Sequence, residues 1–483
     1  MTTARPRRLT GGPAAPRLAL ALALLLVVVL AACTGGGSRG TGGEDDTGAS
    51  AGSTAPGDVT GPIVIASGRD VTGKNGIRQQ LIDAWNLREK RKKSDFRARL
   101  VELPGSADEQ RSQLLGALQS RSAAYDVVNL DVTWVPEFAT AGLIEPLPHH
   151  LVDDDIIPSV AGTARWDGEV YAVPFNSDVG LLYYRRDYLK RAGVERPDLG
   201  AGLDWNKLRG LVDDLNARHL PDTYEKGWTT QLAAYEGRTV NAVEAFASAV
   251  PGLELVDGKG RYTGDVDELT EGIRELRRRT ETAYTLQDAH SSDENASLSD
   301  FVEGRIAFLR HWPSEYRTLY RTFPEGQLGV APLPGRAVLG GQNLAVTGAS
   351  QRKGKAAELI RFLTGKESER CLLEAGFAAT RTSAYEGDAD GERCTAVGPG
   401  PSASPTGEGA DPVPRDGGGR PAYARDILLP ALRNAVHRPR TPLYGAFTQT
   451  FIARLGSLHG DGALSDEALA GQLDKALRKA LPH

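Results

Sequence analysis

Residues 171–184 read YAVPFNSDVGLLYY, two apolar runs separated by the polar stretch around Asn176. Pro174 and Gly180 fall within this segment, and both residue types are unfavourable inside a central β-strand. The pattern therefore predicts two extended segments joined by a crossover. A crossover of this kind suits a chain that passes from one lobe of a protein to another.

The residues before this segment alternate between strand and helix patterns. Strands are predicted at residues 63–66, 100–103 and 126–130, and helices at residues 75–88 and 110–123. Such alternation is typical of a mainly parallel α/β sheet with helices on both faces. Ligands of these sheets lie beyond the carboxyl ends of the strands, where residues 67–70 and 131–137 are expected.

The rest of the folded chain is long enough for two lobes. From residue 62 onward it has about 420 residues, more than a single hydrophobic core usually serves. Residues 386–420 are rich in Gly, Pro, Ser and Asp and are predicted to be a low-complexity loop. Residues 423–481 have a helical pattern that is interrupted by prolines.

The first 61 residues carry export and anchoring signals. Arginines precede an apolar run at residues 18–30, which predicts a secretory signal peptide at residues 1–32. This run is too short to cross a bilayer well, although a membrane helix is the alternative. Residues 33–61 contain little that can be buried and are predicted to be a flexible tether.

The sequence Leu30-Ala31-Ala32-Cys33 is similar to the lipobox of bacterial lipoproteins. The resemblance implies that Cys33 becomes the first mature residue and carries a lipid, whereas a buried structural cysteine is the alternative. More than one acyl chain is needed for stable anchoring. We therefore expect the protein to be lipid-anchored at the extracellular face of the cell membrane.

The charge, the cysteines and the histidines indicate which partners and bonds to expect. The formal net charge of −5 offers no basic surface for nucleic acid, so nucleic acid is not an expected partner. Outside the cell, Cys371 and Cys394 are expected to form a disulfide, with two free thiols as the alternative. None of the eight histidines has a recognised metal-ligand spacing, and we expect no metal and no cofactor.

Several segments together resemble the extracellular solute-binding proteins of ABC transporters, typified by maltose- and trehalose-binding proteins. Residues 171–184 resemble the hinge motif of this family, and Trp205 follows at a similar place. Further similarity lies in QLAAYEG at residues 231–237, in the segments at 301–313 and 329–334, in LGGQNLA at 339–345, and in the segment at 438–444. Many family members have tryptophan where this chain has Gln342, which leaves the exact sugar open.

The resemblance implies a two-lobed periplasmic-binding-protein fold of the α/β class. Each lobe would be a mainly parallel sheet flanked by helices, with the ligand cleft at a hinge that closes on binding. Lobe 1 would contain residues 62–177 and 341–385, and lobe 2 would contain residues 178–340 and 421–483.

The candidate ligand-binding residues combine polar groups with aromatic rings. This chemistry suits a sugar, whose edge carries hydroxyls and whose faces carry C–H groups. The polar and backbone candidates are Arg69, Asp70, Asp131, Asn176, Asp178, Glu236, Gly237, Gly341, Gln342 and Arg438. The aromatic candidates are Trp134, Tyr183, Trp312 and Tyr444.

Structural roles compete with ligand contact at several of these positions. Asp70 is also suited to cap a helix, Asp178 to form a turn and Arg438 to bind a helix end. Glu236 has the alternative role of an exposed loop charge, and Trp312 that of a core tryptophan. Tyr183 and Tyr184 alternate faces in a strand, so at most one of them is expected to face the cleft.

The resemblance implies a monomeric binding protein that gives a neutral sugar, an α-linked disaccharide of trehalose or maltose type or a related oligosaccharide, to an ABC permease. A secreted enzyme such as a glycoside hydrolase is the alternative, and it would need two carboxylates placed across a sugar. Gly-x-Ser-x-Gly occurs only at residues 36–40 and 48–52, inside the predicted tether, and Walker A and His-Glu-x-x-His motifs are absent, so we expect no catalysis. An adhesion lipoprotein without small-molecule binding is a third class.

Overall fold

A computed structural model describes residues 57–69, 76–200, 202–324, 326–386, 394–395, 397, 413–460 and 462–483. The predicted signal peptide, Cys33 and Asp70 lie outside these described residues. Over the same ranges, no helix is both long enough and apolar enough to cross a membrane.

The strands of the described chain fall into three sheets. Their bounds are β1 (Pro62–Gly68), β2 (Arg97–Leu103), β3 (Val127–Leu130), β4 (Arg165–Trp166), β5 (Glu169–Val170), β6 (Val173–Pro174), β7 (Leu181–Arg185), β8 (Lys226–Thr229), β9 (Ile306–His311), β10 (Leu328–Pro332) and β11 (Asn343–Val346). In the described part, the first sheet has the order β2-β1-β3-β11-β6, the second has β10-β7-β9-β8, and β4 pairs with β5.

Helices cover these sheets. Their bounds are α1 (Ile77–Arg91), α2 (Ala107–Gln119), α3 (Val135–Thr140), α4 (Pro158–Ala161), α5 (Arg186–Arg191), α6 (Trp205–Asn216), α7 (Glu236–Ala249), α8 (Val266–Arg279), α9 (Glu294–Val302), α10 (Glu315–Thr322), α11 (Lys353–Leu363), α12 (Lys366–Glu374), α13 (Thr382–Tyr385), α14 (Leu429–Arg433), α15 (Tyr444–Leu455) and α16 (Asp466–Ala480). Short 3-10 helices lie at His149–Leu151, Gly162–Ala164 and Gln287–Ser291, and a π-helical turn at Ala424–Leu428.

The first sheet begins as the sequence predicts. β1 runs parallel to both β2 and β3, and its apolar residues are buried. A nearly continuous apolar strand of this kind is typical of a sheet that is covered on both faces. Helix α1 begins two residues later than predicted, and its Leu81, Ile82 and Trp85 join the core of this sheet.

Both main sheets are mixed, which corrects the prediction of mainly parallel sheets. β11 is antiparallel to β3 and β6, and β7 is antiparallel to β9 and β10, whereas β8 is parallel to β9. The chain leaves the first sheet through β6 and returns through β11, and it enters the second sheet through β7 and leaves through β10. Because the two connections lie side by side, the strands that lead out and back must run in opposite directions.

These connections form the predicted crossover. Residues 175–180 lead from β6 to β7, and residues 333–342 lead from β10 back to β11. They pair through Phe175 N donating to Gln342 O at 2.9 Å and Gly340 N donating to Asp178 O at 2.7 Å. A third segment joins them, since Leu339 N donates to Val436 O at 2.9 Å. We call residues 175–180, 337–342 and 436–438 the crossover strip.

A layer of helices next to the second sheet positions two further candidates. Helices α7, α8, α15 and α16 pack on one another through side chains such as Phe246 and Phe451. Glu236 is the first residue of α7 and Tyr444 is the first residue of α15. The packing of α7 against α15 therefore brings these two side chains together.

The predicted disulfide is confirmed. Cys371 on α12 is bonded to Cys394, with 4.7 Å between the Cα atoms. Near the end of the predicted low-complexity loop, residues 413–420 pack against the protein instead of remaining apart from it. Asp416 pairs with Arg420 at 2.8 Å, and Arg420 Nη1 donates to Tyr385 O at 3.1 Å. Since its polar groups bond to one another and to the protein, this segment packs against the protein and buries Arg420 without an apolar sequence pattern.

Candidate functional site

A buried arginine joins carboxylates from the two sheets. Arg438, in the crossover strip, donates from Nη2 to both carboxylate oxygens of Asp131 at 2.9 Å and from Nη1 to Glu236 Oε1 at 2.6 Å. Asp131 follows β3 of the first sheet, and Glu236 begins the helix that follows β8 of the second. Arg438 is only 2% exposed. Its two acidic partners offset the cost of burying its charge.

The carboxylate of Glu236 is fully engaged by protein donors. Besides Arg438, the Tyr444 hydroxyl donates to Oε1, and Thr448 Oγ1 donates to Oε2 at 2.8 Å. Burial raises the pKa of Glu236, although the charge of Arg438 acts in the opposite direction. Glu236 is therefore no exposed loop charge. In this arrangement its main contact is with Arg438, which it holds in place.

Asp178 differs from these carboxylates because one of its oxygens has no donor. Its Oδ1 is shielded from solvent and has no hydrogen-bond partner among the described residues. Burial raises the pKa of Asp178 to about 7, although Arg78 and Arg310 act to lower it. An unpaired buried carboxylate oxygen is costly, and it is suited to accept a hydrogen bond from a bound hydroxyl.

An aromatic ring lies next to Asp178. A Cβ atom at Gly340 would come within 2.9 Å of Asp178 Cβ and 3.3 Å of Trp312 Cζ3. The absence of a side chain at position 340 therefore lets the acid and the indole approach each other. The other neighbour of Trp312 is Arg310, whose guanidinium carbon lies 3.8 Å from the ring centroid. Trp312 is partly exposed, so one part of its ring remains open to a ligand.

The same region holds a polar network that joins two predicted residues, Asn176 and Gln342, to Arg78 and Asn129, which were not predicted. Arg78 donates to Asn176 Oδ1 and to Gln342 Oε1, both at 3.1 Å, and Asn129 Nδ2 donates to Gln342 Oε1 at 2.5 Å. Arg78 is buried although it lies in the first turn of α1. A signal was present, since position 78 lies on the same helix face as the apolar residues at 81, 82 and 85.

The structure brings most of the predicted residues together, but not all of them. Gly341 lies against Asp131, since a Cβ atom added at Gly341 would be 3.4 Å from the Cα of Asp131. Trp134 N donates to Asp131 O at 3.0 Å, and Gly237 is the second residue of α7. Arg69 is exposed at the end of β1, and Asp70 lies outside the described residues.

Three of the four aromatic candidates are buried within the protein. Trp134 stacks on Phe138, while Tyr183 donates its hydroxyl to Trp312 O at 3.0 Å. Tyr444 is 1% exposed and bonds to Glu236. Their ring faces thus pack against protein atoms in this arrangement, and their contact with a ligand stays a prediction. Within the described ranges, no group of three or more His, Cys, Asp or Glu side chains is placed to hold a metal ion.

Comparison with known proteins places the chain in a family. Residues 90–395 match the family of bacterial extracellular solute-binding proteins. A Deinococcus radiodurans protein described as a probable ABC transporter-binding protein is 29% identical over 324 residues, which cover 63% of this chain and 72% of that protein. The chain belongs to the bacterial extracellular solute-binding proteins of the ABC-transporter class.

Solved structures confirm the two-lobed α/β fold. The maltose-bound MalE3 of T. maritima superposes with a TM-score of 0.68 at 22% identity, over 87% of this chain and 100% of that one. The GacH receptor of Streptomyces glaucescens, solved unliganded and with acarbose, has a TM-score of 0.66 at 21% identity, over 88% of this chain and 99% of that one. At this level of identity the likeness establishes the fold.

Proposed function

We propose that this protein captures an α-linked disaccharide, of maltose or trehalose type, or a related oligosaccharide, in the cleft beside the crossover strip. The observation that carries the proposal is the Asp178 carboxylate, whose buried Oδ1 has no protein donor among the described residues and which lies beside the ring of Trp312. A sugar hydroxyl would supply the missing hydrogen bond, and the ring would contact the C–H face of the same sugar.

Two further features support a sugar of this class. The structural neighbours were solved with maltose and with acarbose, and the sequence motifs resemble those of maltose- and trehalose-binding proteins. The network of Arg78, Asn176 and Gln342 adds amide groups and a cation near Asp178, which suits the several hydroxyls of a pyranose. The remaining predicted residues around Arg438 would contact the second sugar unit.

We further propose that the protein works as a monomeric, lipid-anchored receptor. Cys33 would carry the lipid, and residues 33–61 would tether the folded part to the outer face of the membrane. Closure of the lobes on the sugar would create the surface that the ABC permease recognises.

Titration calorimetry tests the proposal. The panel is maltose, trehalose, sucrose and the β-linked cellobiose. We expect saturable binding of at least one α-linked sugar and binding of cellobiose at least about tenfold weaker, a difference of about 1.4 kcal/mol. Asp178→Asn should weaken the best sugar at least tenfold, whereas the matched change Asp213→Asn, at an exposed position on α6, should leave its affinity unchanged.

Two results would contradict the proposal. One is the absence of binding for the whole panel. The other is release of monosaccharide during the same incubations, because it would favour the glycoside hydrolase alternative.

A further inference from the structure

A small cavity lies inside the second sheet's half of the protein, behind the ring of Trp312. Its polar walls come from α6, β8, α7, α8 and β9 and include Trp205, Trp228, Asn241, Glu244, Arg279 and Arg310. It leaves about 10 Å³ for the centre of a water-sized sphere. This space is enough for one water molecule or one monatomic ion and far too small for a sugar.

Three hydrogen-bond donors from the cavity walls have no acceptor. They are Trp205 Nε1, Trp228 Nε1 and Arg279 Nη2, all shielded from solvent and without a partner among the described residues. Each of these side chains is more than nine-tenths buried. They are also close to one another, since the guanidinium carbon of Arg279 lies 4.3 Å from the Trp205 ring centroid and the two indole centroids are 5.1 Å apart.

The carboxylate and amide acceptors in the same walls are already engaged. Glu244 receives Arg310 Nη2 at 2.7 Å, Arg310 Nε at 3.1 Å and Val338 N at 3.2 Å. Asn241 Oδ1 receives the Thr230 hydroxyl, and Asn241 Nδ2 donates to backbone oxygens at 2.9 Å. The unmet demand in this cavity is therefore for an acceptor.

The lining residues carry one more positive than negative group, and Glu275 behind Arg279 balances the set, so the charges around the cavity do not oppose an anion. Two guanidinium groups, of Arg279 and Arg310, line the cavity, against the single carboxylate of Glu244 among its lining residues. Glu244 is already neutralised by its bidentate pair with Arg310. Arg279 is paired through Nε with Glu275 at 2.7 Å, and its buried Nη2 is left without an acceptor among the described residues.

We propose that this cavity binds a single halide ion, chloride under ordinary conditions. A monatomic anion accepts hydrogen bonds from all three donors at once. A water molecule has only two lone pairs for three donors, so it would leave one of the three without an acceptor. Because Arg310 lies between the cavity and Trp312, the anion would also help to fix the arginine on which the indole rests.

Thermal unfolding tests the halide site without any sugar. Chloride is titrated against methanesulfonate at constant ionic strength, so that general screening does not change. Because a ligand of the native state stabilises it, we expect the melting temperature to rise saturably with chloride. Trp228→Phe removes one donor and keeps most of the ring, and it should raise the chloride midpoint at least tenfold.

The matched control is Arg278→Met. Arg278 shares the partner Glu275 with Arg279, at 2.6 Å, but does not line the cavity. It should keep the parent's chloride midpoint, and an equal loss in both variants would overturn the proposal.

Crystals of the parent protein soaked in bromide provide a measurement that does not depend on any variant. We expect an anomalous peak within hydrogen-bond distance of the two indole nitrogens. Equal melting temperatures in chloride and methanesulfonate, or density at this position without anomalous signal, would show a water only and overturn the proposal.

Discussion

Arg438 is the side chain that connects the acidic groups on the two sides of the cleft. Its charge is shared between Asp131 and Glu236, and each bond is short enough to be a strong, charge-assisted contact. The arrangement makes Glu236 a positioning residue for Arg438 as well as a candidate ligand contact. Removing either acid would leave the cation partly uncompensated, which is costly in a buried place.

Glu236→Gln tests this role. The variant should lower the free energy of unfolding by about 1–3 kcal/mol, because a charged acceptor of Arg438 is lost. It should also weaken the best sugar at least about tenfold. Thermal unfolding and calorimetry measure the two effects.

The control for Glu236 is Glu271→Gln, whose side chain is 57% exposed and which should stay within about 0.5 kcal/mol of the parent. A Glu236→Gln protein with parental stability and parental affinity would remove Glu236 from the site.

The effect of Asp178→Asn on the free energy of unfolding should depend on pH. The pKa of Asp178 is about 7 in the folded protein, mainly because of burial, against an ordinary value of 3.8. The folded state therefore holds a proton that the unfolded state has lost, and Asp178 reduces stability as the pH rises from about 4 to 7. At pH 8 the variant should be more stable than the parent by up to about 4 kcal/mol, since one pKa unit corresponds to about 1.4 kcal/mol.

Chemical denaturation at pH 4, 5.5 and 8 measures this difference. At pH 4 the two proteins should differ by only about 0.5 kcal/mol, because this pH is close to the ordinary value of 3.8 and the unfolded carboxyl has lost little more than half of its proton. A difference that does not change with pH would contradict the assignment. Sugar affinity of the parent should increase from pH 6 to pH 8, since a hydroxyl donor favours the ionised carboxylate.

Helix α12 is tied to the segment after α13 by the Cys371–Cys394 disulfide. The bond closes a loop of 23 positions, for which the chain-entropy model gives about 3 kcal/mol of stabilisation. Replacing both cysteines by serine should lower the free energy of unfolding by about this amount. A reducing agent should destabilise the parent to a similar extent and leave the double variant unchanged.

A parent whose unfolding does not respond to reductant, with both thiols free in peptide maps, would contradict the assignment. The unreduced parent at the same pH and salt is the reference for both measurements.

The positions of the strands could be predicted from the sequence more completely than whether neighbouring strands run parallel or antiparallel. The apolar run around Ile65 and the break at Pro174 and Gly180 fix strands and a crossover by local chemistry. β11 is antiparallel to β3 because of the side from which the returning chain reaches the first sheet. A local sequence pattern contains no information about that side. The sequence analysis named most of the residues that the structure brings together around the crossover strip, but not how they pair, and their contact with a ligand stays a prediction.

Arg78 shows why the rest of the site was missed. A charged residue near a helix start is usually solvated, and its true partners, Asn176 and Gln342, lie 98 and 264 positions away. The clue was its place on the apolar face of α1, where an arginine must find acceptors inside the protein.

At the scale of the molecule, the crossover strip is the predicted hinge. Saturating sugar should reduce the radius of gyration measured by solution scattering, because closure brings the lobes together. Arg438→Met should increase the radius of the unliganded protein, since Asp131 and Glu236 would then repel each other. If neither radius changes, the strip is not a hinge.

The proposed lipid anchor depends on one residue. Cys33→Ala should move the protein from the membrane fraction to the soluble fraction, because no acyl chain can then be attached. Fractionation followed by immunoblotting measures the distribution, with Cys394→Ser as the cysteine control. Retention of the Cys33→Ala protein in membranes would contradict the anchor.

The position of Arg438 in the chain has a consequence for biogenesis. It follows Asp131 by 307 positions and Glu236 by 202. A nascent chain emerges from its N-terminus, so both acids are exposed to water long before their shared cation arrives. Until then like charges face each other across the unfinished cleft and oppose its collapse. The bridge between the two acids therefore cannot form until the chain has emerged through residue 438, well after both of its carboxylates.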